Sequence, residues 1–114
     1  METTELILLY DYYGMLLTDR QRECFELRYN QDLSLGEIGQ ELGISRQGVH
    51  DNLSRAEALL KNMEAKTGYV SRDLKCRNAA QRIVALAEKL TDHDDRTVSD
   101  TAKELLALAA GLKE

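Results

Sequence analysis

Apolar residues recur at intervals of three and four along most of the chain, and no segment alternates strictly enough to read as a strand. The pattern, punctuated by capping residues, predicts six helices. The first covers about 4–16, with Leu6, Leu9, Tyr10, Tyr13 and Leu17 on one face and Ile7, Leu8, Tyr12 and Met15 elsewhere. The second starts at Thr18, whose T-x-x-Q spacing to Gln21 resembles a capping box, and runs to about Asn30. Two further helices follow at about 34–42 and 45–66. A fifth is expected from a Ser71 cap to about Leu90, and a last from about Thr97 to Ala110 after the polar turn Asp92-His93-Asp94-Asp95.

Residues 34–54 carry the most specific pattern, that of a helix-turn-helix. Two short helices that cross steeply need a small residue where their backbones approach, a left-handed residue between them, and apolar residues pointing inward. Gly39 suits the close approach and Gly43 the positive φ, while Ile38, Leu42, Ile44, Val49 and Leu53 fall at inward positions. Ser34 with Glu37 makes an S-x-x-E capping box, and Ser45 caps the second helix. That helix would expose Arg46, Gln47, His50 and Asp51 in its first turns. A hydroxyl, a guanidinium and an amide at Ser45, Arg46 and Gln47 are groups that bond phosphate oxygens and the edges of guanine and adenine.

The fourth helix is longer than groove reading requires. Val49, Leu53, Ala56, Leu60 and Met63 continue an apolar seam spaced four, three, four and three. Beyond Gly68, the row Cys76, Ala80, Ile83, Ala87 and Leu90 is expected to pair with Val98, Ala102, Leu105, Ala109 and Leu112 as an antiparallel helical hairpin. The expected division is therefore an N-terminal helix-turn-helix domain over 1–66 and a C-terminal packing or dimerisation hairpin over 67–114. The first helix is apolar nearly all round, which suggests contact with a second subunit.

Composition changes this picture in two ways. The 114 residues include no proline and no tryptophan, so the strongest helix breaker is missing and the fold class is all-α. The formal charge is −5, distributed as −4 over 1–33, −1 over 34–66, +3 over 67–90 and −3 over 91–114. A free-standing DNA binder usually carries a larger basic footprint, because phosphate neutralisation and counterion release supply most of its nonspecific affinity. The basic cluster Arg72, Lys75, Arg77 and Arg82 lies outside the motif. It is either a second phosphate-contacting surface or a solvated helix face.

Other chemistry has little support. The chain has no Gly-rich phosphate loop ending in Lys-Ser or Lys-Thr, no G-x-S-x-G and no H-E-x-x-H, so neither an enzyme nor a cofactor is expected. In the acidic turn at Asp92–Asp95, Thr97 stands where a calcium loop needs Gly and Lys103 where it needs Glu. Cys24 and Cys76 read as buried thiols, and neither lies with His50 or His93 at a zinc spacing. His50 is a base contact, a pH-sensitive group or a plain surface residue, and His93 a turn residue. The apolar run Leu6–Leu17 is interrupted by Asp11 and too short to span a bilayer, and Glu2 and Glu5 replace the basic start of a signal peptide. The expected location is the cytoplasm, without a membrane partner.

Leu9-Tyr10-Asp11-Tyr12-Tyr13-Gly14-Met15-Leu16-Leu17-Thr18, then Gln21-Arg22, Asp32-Leu33-Ser34-Leu35-Gly36-Glu37-Ile38 and Ile44-Ser45-Arg46-Gln47, resemble the YlxM-like family of small bacterial helix-turn-helix proteins. The resemblance covers about residues 3–66. More broadly, 17–60 resembles the fourth conserved region of sigma factors, the module that reads the upstream promoter element. The family is usually encoded beside signal recognition particle genes, and the resemblance implies a non-enzymatic DNA-binding regulator, with that operon as its expected target. By position, the sigma-like motif assigns contacts to Ser45, Arg46, Gln47, His50, Asp51, Ser54 and Arg55. Gly39 and Gly48 depart from it, standing where the wider pattern often has alanine and a hydroxyl or alanine residue. Asp51 points a carboxylate toward a phosphate-rich surface; it accepts from cytosine, repels phosphate or pairs with Arg55.

The leading expectation is a dimer that places the helix beginning at Arg46 in the major groove of double-stranded DNA. Arg46 and Gln47 would read bases or phosphates, and Arg55 and Lys61 would contact backbone. Two motifs related by a twofold axis must then lie about 34 Å apart, or a multiple of that. The alternative is an adaptor that binds a protein or ribonucleoprotein of the signal recognition particle pathway, or structured RNA. The acidic charge favours it, and Arg72, Lys75, Arg77 and Arg82 would be its test.

Overall fold

Side-chain caps and glycines set the helix boundaries in the first part of the chain. The computed structural model describes residues 2–112. Helix α1 (Thr3–Tyr13) leads through a 3-10 turn (Gly14–Leu16) to α2 (Asp19–Tyr29), α3 (Leu35–Leu42) and α4 (Arg46–Thr67). The Thr18 hydroxyl accepts from the Gln21 N–H and the Gln21 side chain from the Thr18 N–H; Ser34 and Glu37 make the same reciprocal pair at α3. Each such cap satisfies orphan amides and stabilises its helix by about 1 kcal/mol. Gly43 ends α3 at φ 70° and Gly68 ends α4 at φ 59°. After these come α5 (Tyr69–Glu88) and α6 (Arg96–Leu112), so the regular structure among the described residues is all helical.

Two compact units meet at the Gly68/Tyr69 junction. In the first, α4 packs against α1, α2 and α3. Its buried residues Val49, Leu53, Ala56 and Leu60 join Leu6, Leu9, Tyr13 and Leu17, with Cys24, Phe25 and Ile38 contributed by α2 and α3. Phe25 is the centre of an aromatic trio: the Tyr10 ring stacks on it at 4.4 Å and the Tyr29 ring tilts against it at 4.5 Å. Burying a side chain of this size contributes about 3 kcal/mol. Three phenols also tie helices together. Tyr10 donates to Glu26 (2.7 Å), Tyr29 to Glu57 (2.5 Å) and Tyr13 to Glu64 (2.8 Å), with Thr67 Oγ1 2.7 Å from the Tyr13 hydroxyl.

The crossing of α3 and α4 depends on Gly39. A β-carbon there would stand 2.7 Å from the Ile44 carbonyl oxygen, a backbone atom that cannot swing away. The small-residue position expected from the motif is therefore a steric requirement. Between α2 and α3, Asp32 adopts φ 55° while the Leu33 N–H returns to the Leu27 carbonyl, and Arg28 donates to the Leu33 carbonyl at 3.0 Å.

Several local expectations need correction. The first helix does not run to 16: it ends at Tyr13, and the 3-10 turn swings Leu17 into the core as extended backbone. Ile7, Leu8 and Tyr12 are half-buried, so much of the extra apolar face of α1 is covered within the chain, and Met15 and Leu16 are its exposed remainder. Ser71 is not a cap. Gly68 alone separates α4 from α5, so α5 is already helical at Tyr69. Helix α6 starts at Arg96, where the Asp95 carboxylate accepts from the Thr97 N–H at 2.8 Å.

In the second unit α5 and α6 form the expected antiparallel hairpin, but its seam is rotated. The buried residues are Val70, Ala80 and Ala87 on α5 and Ala102 and Ala109 on α6, flanked by half-buried Val84, Val98 and Leu106. Cys76, Ile83, Leu90, Leu105 and Leu112, placed in the seam by the sequence pattern, are exposed, and the Cys76 thiol is not buried. Alanines let two helix backbones approach closely, which leaves no room between them for the larger neighbours.

Two predictions follow from this packing. Gly39→Ala should lose about 1–3 kcal/mol by overpacking, whereas Gly36→Ala, whose β-carbon meets nothing within 4 Å, should be neutral or gain up to about 1 kcal/mol; urea unfolding reads both. Burial, then the bonds to Glu26 and Glu57, push the Tyr10 and Tyr29 phenols up to about 12. The native state thus holds their protons more tightly than the unfolded chain does. Their contribution is complete below pH 10 and is lost as pH rises from about 10 to 12. Replacing both by Phe should flatten the fall in unfolding free energy across that window.

Candidate nucleic-acid interface

Helix α4 opens where Ser45 accepts from the Gly48 N–H at 3.0 Å, as the capping pattern implies. With 3.6 residues per turn, the buried row Val49, Leu53, Ala56 and Leu60 fixes the opposite side of the helix as outward. Gln47, His50, Asp51, Ser54, Arg55 and Lys61 lie along that outward side, and all are exposed together with Ser45 and Arg46. Arg46 sits at the edge of the strip in the first turn. The eight motif residues singled out from the sequence therefore share one solvent-facing stretch of α4 and its cap.

The chemistry of the strip is mixed. Arg46, Arg55 and Lys61 supply three cations and Asp51 one carboxylate. Gln47 Nε2 donates to Asp51 Oδ1 at 3.0 Å, and His50 Nδ1 lies 3.7 Å from the same oxygen. Asp51 is thus engaged by Gln47 and flanked by His50, not paired with Arg55. The Gln47–Asp51 couple offers an amide hydrogen and a carboxylate oxygen side by side, a donor and acceptor set that matches the adenine edge in a major groove, while the carboxylate alone can accept from the cytosine amino group. Gly48 accommodates the cap: a β-carbon there would press on Ser45 Oγ at 3.2 Å. Its low helix propensity is the cost of that arrangement.

Two supporting residues were not legible in the pattern. Arg20 of α2 reaches the Leu42 carbonyl at 3.4 Å, at the end of α3 where the motif turns. Half-buried Asn52 turns its amide back to the Gly48 carbonyl at 2.8 Å, which withdraws it from the outward strip. Both are long-range or rotameric outcomes that spacing does not encode.

The basic cluster on α5 is divided. Arg72, Lys75 and Arg82 lie to one side of the helix, and Lys89 follows in the turn just past its end. Arg77, two positions after Lys75, faces the other way and donates to Asp73 at 2.9 Å. All four of the cluster residues are exposed. Among the described residues no helix is long and apolar enough to cross a membrane.

Comparison with known proteins identifies the family of the helix-turn-helix. Residues 1–105 match the UPF0122 family, described as "Putative helix-turn-helix protein, YlxM / p13 like". A UPF0122 protein of Thermoanaerobacter sp. (strain X514) is 54% identical over 78 residues, 68% of this chain and 67% of that one. One of Acetivibrio thermocellus is 51% identical over 80 residues, 70% and 68% of the two chains. A UPF0122 protein of Bacillus cereus (strain AH187) is 37% identical over 105 residues, covering 92% of this chain and 91% of its own.

Removal of the α4 cap should be felt as stability. Ser45→Ala leaves the Gly48 N–H without its partner and is expected to cost about 1 kcal/mol, read as a lower urea midpoint at unchanged slope.

Proposed function

Because this chain belongs to the UPF0122 family of YlxM/p13-like proteins, we propose that it is a cytoplasmic, non-enzymatic transcription regulator that inserts α4 into the major groove of DNA beside signal recognition particle genes. The observation that carries the reading is the outward strip of α4, in which a capped helix start exposes Arg46 and Gln47 while the reverse side is buried. In this reading Ser45 and Arg46 meet phosphate and base edges at the helix start, and the Gln47–Asp51 couple reads a base. His50 and Ser54 line the groove, and Arg55 and Lys61 hold the backbone.

Two copies of the chain act together, each addressing one half-site, with the motifs about 34 Å apart or a multiple of it. The charge fits a binder of modest electrostatic strength. Three cations on the strip correspond to a salt slope of about −3 per motif, which leaves selectivity to the base contacts. The acidic remainder of the chain disfavours indiscriminate adhesion to nucleic acid.

Fluorescence anisotropy with duplexes from the gene neighbourhood, at several salt concentrations and with scrambled duplex and matching RNA as competitors, tests the proposal. Selective duplex binding is expected. Arg46→Ala should weaken it by about 1–3 kcal/mol, with the thermal midpoint unchanged. Preference for RNA, or binding that depends on Arg72, Lys75 and Arg82 instead of Arg46 and Gln47, would replace the regulator by the adaptor.

A further inference from the structure

The α5–α6 hairpin buries one apolar seam and leaves a second one open. Ile83 and Leu86 on α5 are 37% and 45% exposed and Leu90, in the turn that follows it, 40%, while Leu105, Leu108 and Leu112 on α6 are 41%, 66% and 50% exposed. Each set is spaced three and four apart, the repeat of a helix–helix contact. On both helices the open residues immediately precede seam residues: Ile83 before Val84, Leu86 before Ala87, Leu105 before Leu106, Leu108 before Ala109. One position back is a rotation of about 100° in a fixed sense. Two antiparallel helices rotated in the same sense from their shared seam turn these residues to the same side. The hairpin therefore carries one continuous apolar face, two helices wide.

Charge frames this face unequally. Lys75 and Arg82, seven residues apart, run along its α5 edge, and Lys89 follows in the turn just past the helix end. Glu104 and Asp100 lie along its α6 edge, the latter also 3.7 Å from Arg96. The segment 67–90 carries +3 and the segment 91–114 carries −3, so the surface is complementary to itself.

We propose that this face docks on the same face of a second copy, as a four-helix bundle in which α5 of one protomer lies antiparallel on α6 of its partner. A twofold axis parallel to the helices produces that arrangement and sets each cationic edge against the partner's carboxylates. An axis perpendicular to them would stack α5 on α5 and α6 on α6, like charge on like, which costs stability and specificity. The leucines supply the affinity and the edges choose the orientation, the division of labour of core and flanking positions in helical bundles. The proposal rests on the two-copy part of the function above and is independent of DNA binding.

Sedimentation equilibrium of the full chain without DNA tests it. A dimer in the micromolar range is expected, and Leu108→Glu, at an exposed site, should leave a helical monomer by circular dichroism. Reversing one edge alone, either Lys75→Glu with Arg82→Glu and Lys89→Glu or Asp100→Lys with Glu104→Lys, should raise the dissociation constant about tenfold or more. Both reversals in one chain should restore it. A monomeric wild-type chain, or a dimer indifferent to Leu108→Glu, overturns the docking face. A dimer that responds to Leu108→Glu but not to single-edge reversal overturns the α5-on-α6 pairing. A dimer that behaves as expected and yet binds no DNA selectively counts against the regulator alone.

Discussion

Where α3 crosses α4, the carbonyl oxygen of Ile44 occupies the space that a side chain on residue 39 would need. That approach sets the angle of the motif, and the other local devices are arranged around it. Gly43 reverses the chain at positive φ, its N–H returning to the Gly39 carbonyl, and the Ile44 N–H bonds the same carbonyl at 3.0 Å. Ser45 then starts α4 one residue later, and Arg20 reaches the last carbonyl of α3 from α2. A bulkier residue at 39 would tilt α4 and carry its whole outward strip with it.

Helix α4 serves two surfaces at once. Its inner row closes the core of the first unit, so the orientation of Gln47, Ser54 and Lys61 is fixed by Val49, Leu53 and Leu60 on the reverse. Precision of this kind is what base reading demands, since a hydrogen bond to a base edge tolerates little displacement. The Gln47–Asp51 bond adds to it by holding a flexible amide in place before any ligand arrives, which lowers the entropy lost on binding.

The sequence announced what is local. Thr18, Ser34 and Ser45 could be read as caps because their hydroxyls act within three residues, and Gly43 because positive φ selects glycine. The family resemblance over 3–66 pointed to the same motif. Reading failed where two apolar rows competed on one helix. Ala80 and Ala87 of the expected α5 row are buried, but whether Val84 or the flanking Cys76 and Ile83 complete the seam turns on how closely α6 approaches, a tertiary quantity. The same holds for Ser71, a good cap that went unused because Gly68 had already turned the chain. Within the site, exposure of the eight motif residues was legible, while the partner of Asp51 depended on rotamers that spacing leaves open.

Phenol-to-carboxylate bonds brace α4 against its neighbours, from Tyr29 to Glu57 and from Tyr13 to Glu64. Ion pairs such as Arg22 with Asp19 and Arg77 with Asp73 join residues of the same helix. Mobile ions screen charge–charge attraction far more than a short bond between a neutral donor and a half-buried acceptor. The first unit should therefore keep its shape in brine as in dilute buffer. An ionic-strength titration of this protein then reports what leaves its surface, uncontaminated by any loosening of the scaffold beneath.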